Sequence, residues 1–274
     1  MTAIDIGRFG IWRRVAEIDE DMAREAESLG YGAIWIGGSP PGDLVAVEEI
    51  LDATERIPVV TGIVNMWRED AATVAASYHR LREKHPGRFL LGVGIGHPES
   101  TSEYSDPVAK IGSYLDQLEE GGVPNEEIVL AALGPRVLRI AAERTAGAHP
   151  YLTTPTHTRF ARDVLGDGPI LAPEHFVVVA DGDQAHDAGR QTVGRYLRLD
   201  NYRRNLKREG WDDADIDGGS DRLIAALVLQ GSPERIADGL RAHLDAGADH
   251  ISLQVIGGDP GEAHRQIAAA LNLS

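Results

Sequence analysis

The sequence predicts an α/β fold: one parallel (β/α)8 TIM barrel of eight strand–helix units. Three observations predict it. Short β-rich runs alternate with longer runs of helical period along nearly the whole chain. The pairs reach eight within 274 residues, a usual length for such a barrel. No dinucleotide fingerprint opens the first βα unit, which disfavours the runner-up, a doubly wound open sheet.

The elements follow in order. Residues 4–12 form the first apolar run. A helix over about 19–29 places Met22, Ala26 and Leu29 on one face and stops at Gly30, a good left-handed cap. Strand 33–36 ends on the glycines and prolines of IWIGGSPPG, and a helix covers about 43–54. Strand 58–65 precedes helix 70–84, and strand 89–95 leads through a loop to a helix near 107–119. Strand 128–133 runs straight into helix 135–145. Strand 148–153 and helix 155–165 follow, then strand 175–180 and a long helical region at about 183–209. After the acidic loop WDDADIDGGSD come helices near 222–229 and 233–246, strand 250–255 and a last helix over 260–271. The chain reads as one domain, 1–274, with a helical insertion at about 183–230 that covers the active-site end or forms an interface.

Composition narrows the chemistry. The chain has 27 basic and 43 acidic residues, a formal net charge of -16. That disfavours general nucleic-acid or anionic-membrane binding, though not a local basic pocket for a small anion. Without cysteine there is no disulfide, no thiolate catalysis and no cysteine-ligated zinc or iron–sulfur centre. The N-terminus lacks a signal-peptide pattern and no apolar run is long enough to span a bilayer, so a cytoplasmic protein is expected. The ten histidines include no HxH or HExxH pair; His149, His157 and His175 are scattered, and no metal is expected. No GxSxG elbow presents a nucleophilic serine, and the charge runs at Arg203-Arg204, Lys207-Arg208 and 212–217 read as solvated surface.

Four stretches at strand carboxyl ends are candidates for chemistry, because that end of an α/β barrel carries the site. IWIGGSPPG offers Gly38 and Ser39 but no acid, base or metal ligand. VVTGIVNMW places Gly62 inside a β-branched strand, which marks a bulge or a close backbone approach, with Asn65 and Trp67 beyond it. LLGVGIGHPES has small residues through a strand and then His97 and Ser100; the alternative is a glycine-softened strand end with no ligand. AALGPR puts Gly134 at a turn and Pro135 in the first turn of a helix, leaving backbone N–H groups and Arg136 for a phosphate; an ordinary strand–turn–helix junction reads the same way.

The ordered set AREAESLGYGAIWIGG, VVTGIVNMWREDAATVAASYHRL, GRFLLGVGIGHPE, LAALGPRVLRIAAERTAGAHPYLTTP and LQGSPERIADGLRAHLDAGADHISLQV resembles the bacterial luciferase-like superfamily. Within it, the set is similar to the coenzyme F420-dependent oxidoreductases of actinobacteria, in particular a short-chain subgroup. The resemblance covers nearly the whole chain. It implies a luciferase-like barrel binding a deazaflavin at the carboxyl end, with hydride transfer at C5 to or from a small-molecule substrate, and a homodimer through outer helices. It implies a cis peptide at Gly62-Ile63 backing the ring, cofactor contacts from Gly38, Gly62, Ile63, Asn65, Gly134, Pro135 and Arg136, and a pocket lined by Ser39, Trp67 and Ser100, with His97 as proton donor. The chain departs from the sugar-phosphate-oxidising members, which carry an Asp-His pair where Gly38 and Ser39 stand. Reduction of an activated alkene or imine is therefore expected over oxidation of a sugar phosphate, which needs a base for the hydroxyl proton. An FMN-dependent luciferase-like monooxygenase or reductase and a non-catalytic deazaflavin-binding protein are the alternatives.

Overall fold

The computed structural model describes residues 4–96, 106–180 and 182–274. Its strands are β1 (Phe9–Arg14), β2 (Ala33–Gly37), β3 (Val59–Gly62), β4 (Val64–Asn65), β5 (Phe89–Gly94), β6 (Ile128–Leu130), β7 (Gly147–Ala148), β8 (Ile170–Leu171), β9 (Glu174–Val178), β10 (Val228–Gln230) and β11 (Ile251–Val255). All named pairings are parallel. They run β10-β9-β11-β1-β2-β3-β5-β6-β7-β8, with β4 against β5.

The sheet closes through one stretch of chain. Only Ala172 and Pro173 separate β8, which pairs with β7, from β9, which pairs with β11. Across that join the Glu174 amide donates to Pro150 O at 2.9 Å, and Tyr151 bridges to Glu174. Eight barrel positions result, with β3/β4 and β8/β9 each counting once and β10 added on the free edge of β9. This is the (β/α)8 barrel that the alternation predicts.

Around it lie α1 (Glu20–Ser28), α2 (Val45–Ala53), α3 (Ala71–Lys84), α4 (Pro107–Glu120), α5 (Pro135–Arg144), α6 (Pro155–Leu165), α11 (Pro233–Asp245) and α12 (Pro260–Leu271). Between β9 and β10 come α7 (Asp183–Tyr196), α8 (Asp200–Arg208), α9 (Asp213–Gly218) and α10 (Asp221–Leu227). Strand side chains alternate between two cores. Phe9, Ile11, Ile34, Ile36, Val59, Leu91 and Val93 pack outward against the helices. Trp12, Ala33, Trp35, Val60, Leu90, Val129 and Ala172 fill the barrel.

The differences from the sequence reading are local. The long helix at 183–209 is two helices, because the chain turns at residues 197–199. The acidic loop folds its centre into α9, since the Asp212 side chain accepts the Asp215 amide and nucleates a turn. The helix near 222–229 ends at Leu227, and its last residues become β10. That strand occupies the edge of β9 that β7, two residues long, leaves unpaired. Strand 58–65 is split at Ile63, and the seventh strand begins earlier than expected, at Ile170.

Candidate functional site

The mouth at the strands' carboxyl ends has two unlike halves. On β2, β3, β5 and the residue after β6, the last inward positions are Gly37, Gly62, Gly94 and Ala131. Opposite them stand Arg14 of β1, His149 and Tyr151 beyond β7, and Glu174 of β9.

The glycine at the end of β2 has a defined occupant. A Cβ on Gly37 would lie 1.8 Å from Cζ2 of Trp12, and one on Gly62 would lie 2.8 Å from Trp12 Nε1 and 3.5 Å from His149 Nε2. The indole of Trp12 thus fills the space that Gly37 leaves. Gly38 is different: it is exposed, has φ +78°, and its nearest neighbour is the Arg14 side chain, 3.6 Å from an ideal Cβ. Ser39 follows in the left-handed region at φ +58° and is half-buried.

The Gly62–Ile63 peptide is cis. It ends β3, lets Val64 and Asn65 pair with Val93 and Gly94 of β5, and places Ile63 Cγ1 3.0 Å from an ideal Cβ on Gly94. Asn65 is buried, with Oδ1 accepting the Trp67 amide at 2.9 Å, so this face of its side chain shapes the turn. Trp67 lies under the Lys110 ammonium of α4, 5.2 Å from the ring centroid. His97 and Ser100 lie outside the described residues.

Gly134 is the N-cap of α5 and supplies no side-chain bond; Pro135 occupies the first turn, and an ideal Cβ on Gly134 meets nothing within 4 Å. Six of the other seven barrel helices carry a side-chain cap: Asp19, Asp70, Asp106, Thr154, Ser232 and Asp259 each accept an amide at the helix start, while α2, with Leu44 at its N-cap, has none. Arg136 beside this turn is exposed. The preceding carbonyl, Leu133 O, is held by His157 Nε2 at 2.9 Å.

The polar half was missed by sequence reasoning. Glu174 is 3% exposed, and burial pushes its carboxyl well above the usual range. Its Oε1 has no partner among the described residues, and Oε2 lies 3.8 Å from His149 Nε2. His149 Nδ1 donates to Ala172 O at 2.7 Å, its ring stacks on Trp35 at 4.1 Å, and burial depresses its pKa to about 4. Burial thus disfavours the charged form of both partners of this contact. Below them His250 donates from Nδ1 to Gly7 O and accepts the Trp35 indole N–H at Nε2, both at 2.9 Å. That fixes Trp35 across the barrel. Tyr151, Tyr196 and Tyr202 pack edge to face at 5.0–5.9 Å, and burial raises the phenol of Tyr151 well above its usual range. Two signals were present: the alternation of Gly10, Trp12 and Arg14 along FGIWRR, and a glutamate opening the apolar run EHFVVV. Among the described residues, no three His, Asp or Glu side chains group as a metal site.

Comparison with known proteins agrees with this architecture. Residues 16–120 match the model of the luciferase-like monooxygenase family. It is 24% identical to 5,10-methylenetetrahydromethanopterin reductase of Methanolobus tindarius, over 87% of this chain and 89% of that protein. Among solved structures it resembles an F420-dependent secondary alcohol dehydrogenase in complex with an F420–acetone adduct (TM-score 0.76, 16% identity, 97% and 99% of the two chains). It also resembles the FMN complex of the oxygenating constituent of 3,6-diketocamphane monooxygenase from Pseudomonas putida (TM-score 0.67, 16% identity, 97% and 96%). At these identities the solved structures speak for the fold. No helix among the described residues is long and apolar enough to cross a membrane.

Proposed function

We propose that the protein is an F420-dependent oxidoreductase that acts as a reductase on a small organic substrate. The observation that carries this reading is a pair of features in the mouth: the strand ends without side chains at Gly62 and Gly94, and the start of α5 at Gly134, which no side chain caps. A flat ring fits against backbone that has no side chains, and a phosphate fits amides that no side chain caps. Gly62, Ile63 and Gly38 would hold the ring, and Gly134 with Arg136 the phosphate, Pro135 only shaping the turn. When bound, the deazaflavin supplies the hydride chemistry; the protein binds and orients. The match to a methylenetetrahydromethanopterin reductase over most of both chains supports a reductive direction, and the F420-dependent secondary alcohol dehydrogenase among the structural neighbours supports F420. The strand end at Gly37-Gly38-Ser39 supports the same direction, since it holds no base for an alcohol proton.

FMN is the second reading, favoured by the FMN-bound monooxygenase among the structural neighbours. Titration of the purified protein with oxidised F420 and, separately, with FMN, followed by fluorescence, tests both. Binding of F420 alone at low-micromolar Kd or tighter, about -8 kcal/mol, is the expected result. Binding of FMN alone moves the protein to the flavin branch. Binding of neither overturns the cofactor reading and leaves the barrel unaffected.

A further inference from the structure

The polar half of the mouth is a collection of hydrogen-bond donors. Arg14 is the last inward residue of β1, two positions beyond Trp12, and its stem lies against Gly38. Its side chain is 47% exposed, and among the described residues its ion pair is a 4.0 Å contact with Glu17, which also faces Arg13 at 3.4 Å. The buried carboxyl within electrostatic reach of Arg14 is Glu174, and no ion pair joins them among the described residues. Burial pushes the Glu174 carboxyl well above its usual range and so favours its neutral form, which leaves the long contact with Glu17 as the ion pair of this guanidinium among the described residues. The second observation is Trp12 Nε1, a buried N–H without a partner among the described residues, directed at the end of β3 beside Gly62. A buried donor with no acceptor is costly, and an acceptor seated over Gly62 relieves it.

We infer that this mouth takes a substrate bearing a carboxylate, received by the Arg14 guanidinium with the Trp12 indole N–H as the neighbouring donor. The inference rests on the oxidoreductase reading and adds the substrate class. The global charge of -16 repels small anions over most of the surface, so a lone arginine beside Gly38 is a selective feature rather than part of a basic field. A planar guanidinium suits a carboxylate, which it engages through two parallel N–H groups. An α,β-unsaturated acid would then lie with its carboxylate on Arg14 and its double bond toward the bare strand ends of β3 and β5.

Trans-cinnamate and methyl cinnamate, equal in ring and double bond but different in charge, test this. Each is titrated into 15N-labelled protein, with and without oxidised F420, while the Trp12 indole resonance, assigned by Trp12→Phe, is followed. The acid is expected to shift that resonance saturably and the ester to bind at least about tenfold more weakly. Arg14→Gln is expected to remove the difference, an effect of about one charge-assisted hydrogen bond, and Arg14→Lys to keep part of it. An ester that binds as well as the acid, an Arg14→Gln variant with unchanged acid affinity, or no binding of the acid in either form overturns the inference. Absence of F420 binding with normal acid-over-ester discrimination instead overturns the cofactor and leaves the anion site standing.

Discussion

The two halves of the barrel mouth are built on opposite principles. From β2 to β6 the chain removes side chains, ending its strands on Gly37, Gly62, Gly94 and Ala131. From β7 round to β1 it inserts polar ones, His149, Tyr151, Glu174 and Arg14. The first half is shaped by backbone, the second by charge and hydrogen bonds. Trp12 and its neighbour strand show how closely the halves depend on each other. The indole comes from the polar side but occupies the space made by Gly37, and its N–H ends beside Gly62. A glycine at a strand end thus signals close approach, but not what approaches.

The largest expected effect breaks this interlock. Gly37→Ala places a methyl 1.8 Å from the indole, so Trp12 or β2 must move. A loss of about 3 kcal/mol is expected, at the upper end for overpacking, read as a fall in the urea midpoint. Trp12→Leu in the same chain should recover much of it, because the smaller side chain vacates the space. If Gly37→Ala alone unfolds like the parent, the two halves are not interlocked at Trp12.

The asymmetry between the halves also explains what was legible in the sequence. The barrel was legible because hydrophobic periodicity repeats eight times, and Gly30, Pro135 and Pro155 punctuate it. Gly62-Ile63 was marked by resemblance, and the bond is cis. The bare half was visible because glycines stand out inside β-branched runs. The polar half was not: Trp12 and Arg14 belong to a strand whose inward face is set by pairing with β2 and β11, and a lone histidine such as His149 reads like any other. Glu174 was legible only as a charge at the start of an apolar run. Its burial comes from barrel closure at β8/β9, a contact between parts of the chain that no local pattern encodes.

A smaller effect follows from that buried acid. Glu174 has a carboxyl pKa above its unfolded value of 4.5, through burial. Below that pH it is neutral in both states and affects neither. As the pH rises, the unfolded chain releases the proton while the fold keeps it, so the folded state loses stability until the folded pKa is passed. The slope approaches about 1.4 kcal/mol per pH unit for one proton. Glu174→Gln removes the proton exchange and nearly preserves the shape. Its stability should match the parent near pH 4.5 and exceed it increasingly toward neutral pH, as urea denaturation at several pH values would show. A constant difference across that range would mean that Glu174 is ionised in the fold. It would also set a charged carboxylate within electrostatic reach of Arg14.

The smallest effect on stability gives the sharpest contrast with the capped helices. Gly134 has extended backbone at φ -93°, ψ 161°, open space around its Cβ and no capping side chain. Aspartate adopts that conformation readily and is a preferred N-cap. Gly134→Asp should therefore stabilise α5 by a few tenths of a kcal/mol relative to glycine, as Asp70 and Asp259 already do at the starts of α3 and α12. The same carboxylate would occupy the amides proposed for the cofactor phosphate and repel its charge. Binding of the phosphate-bearing cofactor should weaken by about tenfold or more, roughly 1.4 kcal/mol, while a phosphate-free analogue of the same ring is unaffected. If both ligands weaken alike, the aspartate has disturbed the mouth as a whole. If neither weakens, α5 is an ordinary helix start, and the phosphate is held elsewhere on the rim.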